Sequence, residues 1–329
     1  MATNKSLSKR TPTNNLMLFS GRAHPTLAEE VAELLEVNLV PTTAYDFANG
    51  EIYVRFDESI RGCDAFVIQS HSAPINEAIM EQLIMIDALK RASAKRITVV
   101  LPFYGYARQD KKHLGREPIS ARLMADLFLT AGADRLMTVD LHTAQIQGFF
   151  DGPVDHLLAM PILTRQVKKK YGKKPLAVVS PDAGRIKVAE QWARQFDNAP
   201  LAFIHKTRDV TKANVTKANR VVGDVEGRTC ILVDDLIDTG GTICQAAEAL
   251  MNDGAAEVVI AATHPVFSGP AIDRLKNSVA TEVIVTNTLP LAEEHHFDKL
   301  TVLSIAPLLA QAVSAVFEDG SVTGLFAEK

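Results

Sequence analysis

Cysteine is scarce: three in 329 residues, Cys63, Cys230 and Cys244, with no metal-ligand spacing among them. That excludes a disulfide scaffold and a zinc module and points to a reducing compartment. No apolar run approaches the roughly 18 residues that a membrane-spanning helix needs. Residues 1–15 are polar and rich in Thr, Asn, Ser and Lys, without the apolar stretch of a signal peptide, so they read as a disordered tail and the chain as cytoplasmic, with no membrane partner. A basic excess is also missing: 35 Lys and Arg face 39 Asp and Glu, a net charge of −4, which argues against a nucleic-acid partner. Any affinity for phosphate must therefore be local. The sequence contains neither GxxxxGK[ST] nor GxGxxG, so a bound nucleotide needs another kind of site. What remains is an ordinary globular composition, 47% hydrophobic and 22% charged, at a length that suggests two domains.

Short apolar runs alternate with helical patterns along the chain. Strands are expected at 16–19, 65–69, 97–101 and 136–139, with helices at 25–37, 75–93 and 119–131 and an alternating segment at 43–60. The second half repeats the scheme, with strands at 176–180, 201–204, 230–233, 258–263 and 283–286 and helices at 184–196 and 243–250. The expected class is α/β, two similar domains, each a mostly parallel sheet flanked by helices. They divide as 16–165 and 166–329, near the basic, turn-rich stretch 168–175. Residues 132–142 lie over 254–264 without a gap, at an offset of 122, with the Gly-Ala and His anchors identical. This reads as an internal duplication, the alternative being a chance likeness between two strand-helix units.

The most informative stretch is 230–242. An apolar strand ends on Asp234 and Asp235, and Asp238, Thr239, Gly240, Gly241 and Thr242 then lead into a helix. The small-residue loop can aim backbone N–H groups and two hydroxyls at one anion on a helix N-terminus. Carboxylates beside an anion hole make sense when vicinal hydroxyls face them, because each hydroxyl then donates a charge-assisted hydrogen bond. A pentose 5-phosphate has both features.

This stretch resembles the phosphoribosyl pyrophosphate signature of the type I phosphoribosyltransferase fold, and its surroundings resemble the ribose-phosphate diphosphokinase family. Tyr106-Ala107-Arg108-Gln109-Asp110 matches that family's motif, as does the run from Asp140-Leu141-His142 to Asp151. Lys206-Thr207-Arg208 matches its catalytic Lys-x-Arg. The likeness extends over nearly all of the chain from about residue 16. It implies that Arg208, Asp234, Asp235, Asp238 and residues 239–242 bind ribose 5-phosphate. It further implies that Phe47, Asn49, Gly50, Glu51, Arg108, Gln109 and His142 bind ATP, that His142 and Asp182 serve Mg²⁺, and that Lys206 and Arg208 are catalytic. Three positions depart from the usual pattern near these sites: Ala48 replaces Ser, Asn49 replaces the Asp of many bacterial members, and Arg185 stands where a second Gly is common after Asp182.

The chemistry so implied is in-line transfer of a diphosphoryl group from ATP to the anomeric hydroxyl of ribose 5-phosphate, which calls for alignment and charge stabilisation. The polar, basic segment 205–217 reads as a lid. The resemblance also implies a homohexamer with inorganic phosphate and ADP as effectors. Two other readings stay open on the sequence: a phosphoribosyltransferase consuming phosphoribosyl pyrophosphate, and a non-catalytic regulatory subunit.

Overall fold

The computed structural model describes residues 15–207 and 218–325. The first half runs β1 (Leu16–Ser20), α1 (Pro25–Leu34), the antiparallel hairpin β2 (Thr42–Asp46) and β3 (Ile52–Phe56), β4 (Asp64–Ile68), α2 (Ile75–Arg91), β5 (Arg96–Leu101), α3 (Ser120–Ala131), β6 (Arg135–Val139), β7 (Val154–Leu157) and α4 (Met160–Tyr171). The second runs β8 (Leu176–Ser180), α5 (Ile186–Gln195), the antiparallel pair β9 (Leu201–Thr207) and β10 (Ala218–Val222), β11 (Thr229–Ile237), α6 (Gly241–Asn252), β12 (Glu257–Pro265), α7 (Ala271–Lys276), β13 (Glu282–Thr286), β14 (Leu300–Leu303) and α8 (Ala306–Phe317).

Two sheets result, ordered β1-β4-β5-β6-β7 and β10-β9-β8-β11-β12-β13-β14. Every pairing in them is parallel except β9 with β10. Strands β4, β8 and β13 are buried along their whole length, as parallel strands covered on both faces must be. The expected α/β class, with parallel sheets flanked by helices, is what the chain adopts. Its two halves share one core: a single cluster joins Leu18, Phe66 and Val139 of the first sheet to Val178, Ile231 and Ile284 of the second. Helix α4, which contains position 165, packs against β12 and β13, while α8 packs against α1. Among the described residues no helix is long and apolar enough to cross a membrane.

The register of the duplication needs correction. Laying 132–142 over 254–264 superposes β6 on β12, yet β6 is the fourth strand counted from β1 and β12 only the third from β8. By strand order β6 corresponds to β13. The shared Gly-Ala marks something local: Gly132 (φ +123°) and Gly254 (φ +92°) each follow a helix and turn the chain into a strand, a common way to end a helix. Several element bounds also differ from expectation, β11 among them, since it runs through both carboxylates to Ile237. Helix α1 stops at Leu34, α5 begins at Ile186 behind a 3₁₀ turn at Ala183–Arg185, and 43–60 folds into the β2–β3 hairpin.

Candidate active site

The second sheet delivers the acidic stretch to its carboxyl edge, where α/β sheets form their crevices. Gly240 adopts the left-handed conformation (φ +72°) between β11 and α6, and a Cβ there would sit 3.4 Å from the Ala271 carbonyl. Only glycine makes that turn without strain. Helix α6 then begins with backbone N–H groups that have no partner within the helix. Arg274 Nη1 donates to the Thr239 carbonyl at 3.0 Å and braces the loop. Asp238, at the loop's entry, receives Arg108 Nη1 from the first half at 2.6 Å. Burial favours the protonated form of Asp238, but bonds from Ser268 and Arg108 outweigh it and hold the carboxyl below its usual range.

Asp234 and Asp235 are consecutive in a strand, so their side chains leave on opposite faces. A guanidinium joins them. Arg185 Nε lies 3.2 Å from Asp234 Oδ1, and its Nη2 lies 2.7 Å from Asp235 Oδ2. Asp235 Oδ2 is also 2.7 Å from Nδ1 of His142, which comes from the first half. Burial pushes Asp235 upward, but the His142 bond and the charge of Arg185 prevail and keep it well below the carboxylate range. Asp234 moves the other way, raised by burial and by the neighbouring Asp235 charge against the pull of Arg185. Asp182, which follows β8 and does not line the cavity described below, accepts the Gly184 N–H at 2.9 Å as the cap of the Ala183–Arg185 turn.

Between the halves lies a cavity of about 520 Å³. The first half lines it with Tyr106, Arg108, Gln109 and His142, the second with Asp235, Leu236, His264 and Val266. The 106–112 loop is tied to the His142 segment through Asp110, which accepts from Thr143 Oγ1 at 2.7 Å and from Gln145 Nε2 at 2.9 Å. Gln109 Oε1 accepts from Ser120 Oγ at 2.6 Å. Asp140, with φ +37°, is pinned from the opposite half. Its carboxylate accepts from Thr263 Oγ1 at 2.6 Å, and its carbonyl accepts from His264 Nε2 at 3.1 Å. His264 Nδ1 then takes the Thr288 hydroxyl at 2.9 Å, and burial lowers this imidazole's pKa, keeping it neutral.

Comparison with known proteins agrees with this geometry. Residues 16–132 match the model for the N-terminal domain of ribose phosphate pyrophosphokinase, and residues 200–327 match the phosphoribosyl synthetase-associated domain. The ribose-phosphate pyrophosphokinase of Streptomyces avermitilis is 66% identical over 98% of this chain and 99% of its own length. That of Mycobacterium leprae is 65% identical over 95% of both. This chain belongs to the ribose-phosphate pyrophosphokinase family. A crystal structure of phosphoribosylpyrophosphate synthetase from Mycobacterium smegmatis, 65% identical, superposes with a TM-score of 0.90 over 93% of this chain and all of that one.

Within this ribose-phosphate pyrophosphokinase fold, the residues singled out by sequence fall into four sets, with Asp182 apart from them as a turn cap. Arg108, Gln109, His142 and Asp235 line the cavity. Asp238 joins them through Arg108 and Asp234 through Arg185, while Thr239, Gly240, Gly241 and Thr242 form the turn into α6. Phe47, Asn49, Gly50 and Glu51 do not line it: they form the exposed tip of the β2–β3 hairpin, where Phe47 packs edge-on against Tyr45 and Tyr53. Lys206 belongs to β9, its side chain outside the described residues, as is all of Arg208. Sequence reasoning assigned no role to Arg185, Asp140 or His264. Arg185 was visible as a departure from the family pattern, and His264 as the anchor of a misregistered repeat.

The family generally uses a divalent metal. Among the described residues no group of three or more His, Cys, Asp or Glu side chains has metal-binding spacing. Mg²⁺ commonly relies on one or two protein ligands plus substrate phosphates and water. The His142–Asp235 pair fits such a site, because a metal-binding imidazole usually gives its other ring N–H to a carboxylate.

Proposed function

We propose that this chain is a catalytically active member of its family, transferring the β,γ-diphosphoryl group of ATP to the C1 hydroxyl of ribose 5-phosphate and releasing AMP. The observation that carries the reading is the 2.6 Å contact of Arg108 with Asp238. It sets a guanidinium from the nucleotide side directly on the loop assigned to the pentose phosphate, so the two substrates need no carrier between them.

In this reading the 5-phosphate seats on residues 239–242 at the N-terminus of α6. Asp234, Asp235 and Asp238 accept the ribose hydroxyls, Asp235 with the oxygen not already engaged by His142 and Arg185. Arg108 and Gln109 hold the triphosphate in the cavity. His142 and Asp182 would hold Mg²⁺, which when bound supplies positive charge to the phosphate oxygens. Lys206 and Arg208, brought by the segment after β9, stabilise negative charge that builds on the transferred group as the C1 oxygen attacks the β-phosphorus in line. Phe47, Asn49, Gly50 and Glu51 serve ATP from a second copy, since the hairpin tip is exposed and none of the four lines this chain's own cavity.

A cytoplasmic homohexamer, with inorganic phosphate and ADP as effectors and domains dividing near residue 165, completes the proposal. Purified chain mixed with Mg²⁺, ATP and ribose 5-phosphate should form AMP and phosphoribosyl pyrophosphate in equal amounts. Release of ADP instead, or no turnover, would overturn the reading.

A further inference from the structure

Arg185 has no assigned task, yet it occupies the junction of three chain segments. It ends the 3₁₀ turn after β8, touches both carboxylates at the end of β11, and reaches the segment after β6 in the other half. Nη2 lies 2.7 Å from Asp235 Oδ2, 3.2 Å from the His142 carbonyl and 2.8 Å from His142 Nδ1. Its side chain is only 14% exposed.

These distances admit one consistent set of bonds. A guanidinium has no lone pair to offer, so His142 Nδ1 cannot donate to Arg185. Nor can a protonated Nδ1 accept from it while donating to Asp235 at 2.7 Å. Nδ1–H therefore donates to Asp235, and Arg185 donates to the same carboxylate oxygen and to the main-chain carbonyl of His142. Nδ1 is thus a protonated nitrogen of the ring, and in the neutral imidazole Nε2 then carries the free lone pair. Three acceptors on two segments, Asp234 and Asp235 on β11 and the His142 carbonyl after β6, call for a planar fork of donors, which arginine has and lysine lacks.

We infer that Arg185 is a positioning residue for His142: it clamps the His142 main chain and the Asp235 carboxylate that orients the ring, locking the nucleotide-side imidazole to the pentose-side strand. The inference rests on the function proposed above, because it needs His142 to serve the transfer.

The test measures AMP formation by the wild type, R185A, R185K, H142A and the R185A/H142A double variant. R185A should lose about 10–100-fold in kcat, the usual cost of removing an orienting partner, with the KM for ribose 5-phosphate within about threefold of the wild type. R185K, which keeps the charge but not the fork, should fall between the two. In the H142A background R185A should change kcat by less than about threefold, since the residue it positions is gone. Wild-type kcat in R185A, a loss appearing only as a raised KM, or full multiplication of the two single losses would each overturn the inference. Should R185A fail to fold, R185K combined with H142A carries the same criterion. A wild type that makes no AMP would defeat the proposed function itself, whatever Arg185 does.

Discussion

His71 offers a quantitative test of how the loop that carries Arg108 is held. It is fully buried after β4, with Nδ1 accepting the Gly105 N–H at 2.8 Å and Nε2 facing the Gln82 side-chain oxygen at 2.9 Å. Its ring lies nearly parallel to Phe128, with centroids 5.8 Å apart. Gly105 opens the turn that carries Arg108, so this acceptor anchors that loop, and protonation would aim a second N–H at the Gly105 N–H. Burial lowers the imidazole to about 4, against a partial opposing effect of the Gln82 bond. The unfolded value is about 6.5. Between those pH values the unfolded chain binds a proton that the folded chain refuses. The contribution is thus complete above pH 6.5 and disappears as pH falls towards 4, amounting to roughly 3 kcal/mol at about 1.4 kcal/mol per pH unit. H71N keeps an acceptor near Nδ1 but does not titrate. Urea unfolding of both proteins at fixed concentration should give a stability gap at pH 7.5 that narrows by roughly 2–3 kcal/mol by pH 4.5. Because every other titrating group is common to both, a gap constant across that range would refute the reasoning.

Two further outcomes follow from the site. D235N keeps the volume and one acceptor oxygen but removes the charge on which His142 and Arg185 converge, so steady-state kcat for AMP formation should drop about 10–100-fold; a kcat within twofold of the wild type would contradict the orienting role. K206A should lower turnover by roughly 10²–10³, the scale of a lost charge-stabilising donor, and near-normal turnover would remove Lys206 from the mechanism.

What the sequence disclosed was local. The strand, acidic edge, small-residue loop and helix at 230–252 are neighbours along the chain, and each leaves its mark in residue type: apolar run, carboxylates, Gly240 at positive φ, helical period. The parallel alternation was legible for the same reason. What stayed hidden was contact at long range. Asp235 meets His142 from 93 positions away, and Arg185 reaches the same histidine across 43. No periodicity records such a meeting, so Asp235 read only as a hydroxyl acceptor. The false offset of 122 arose in the same way, since two helix-ending glycines look alike whichever strand follows them. Strand order, a property of the folded sheet, was needed to pair β6 with β13.

That corrected pairing also sets the loop after β11, proposed above to seat the pentose phosphate, against its counterpart in the first half. Strand order makes β4 the counterpart of β11. The loop after β11 is Gly-rich and opens α6 with free N–H groups. The stretch after β4 instead holds Gln69, Ser70 and His71, all buried and already committed. Gln69 Oε1 takes the Ala23 N–H at 3.0 Å, Ser70 donates to the Thr288 carbonyl at 2.6 Å, and His71 serves Gly105 and Gln82. A Cβ on Gly21 would even collide with the Gln69 side chain at 2.3 Å, so this corner is filled. Helix α2 then starts behind Pro74, with no glycine to admit a phosphate. The equivalent corner of the first half is thus filled by packing, and that half instead reaches the second through Arg108 on Asp238 and His142 on Asp235. Calorimetric titration with ribose 5-phosphate should accordingly reach one equivalent per chain, and two equivalent sites per chain would show that the corner after β4 still binds.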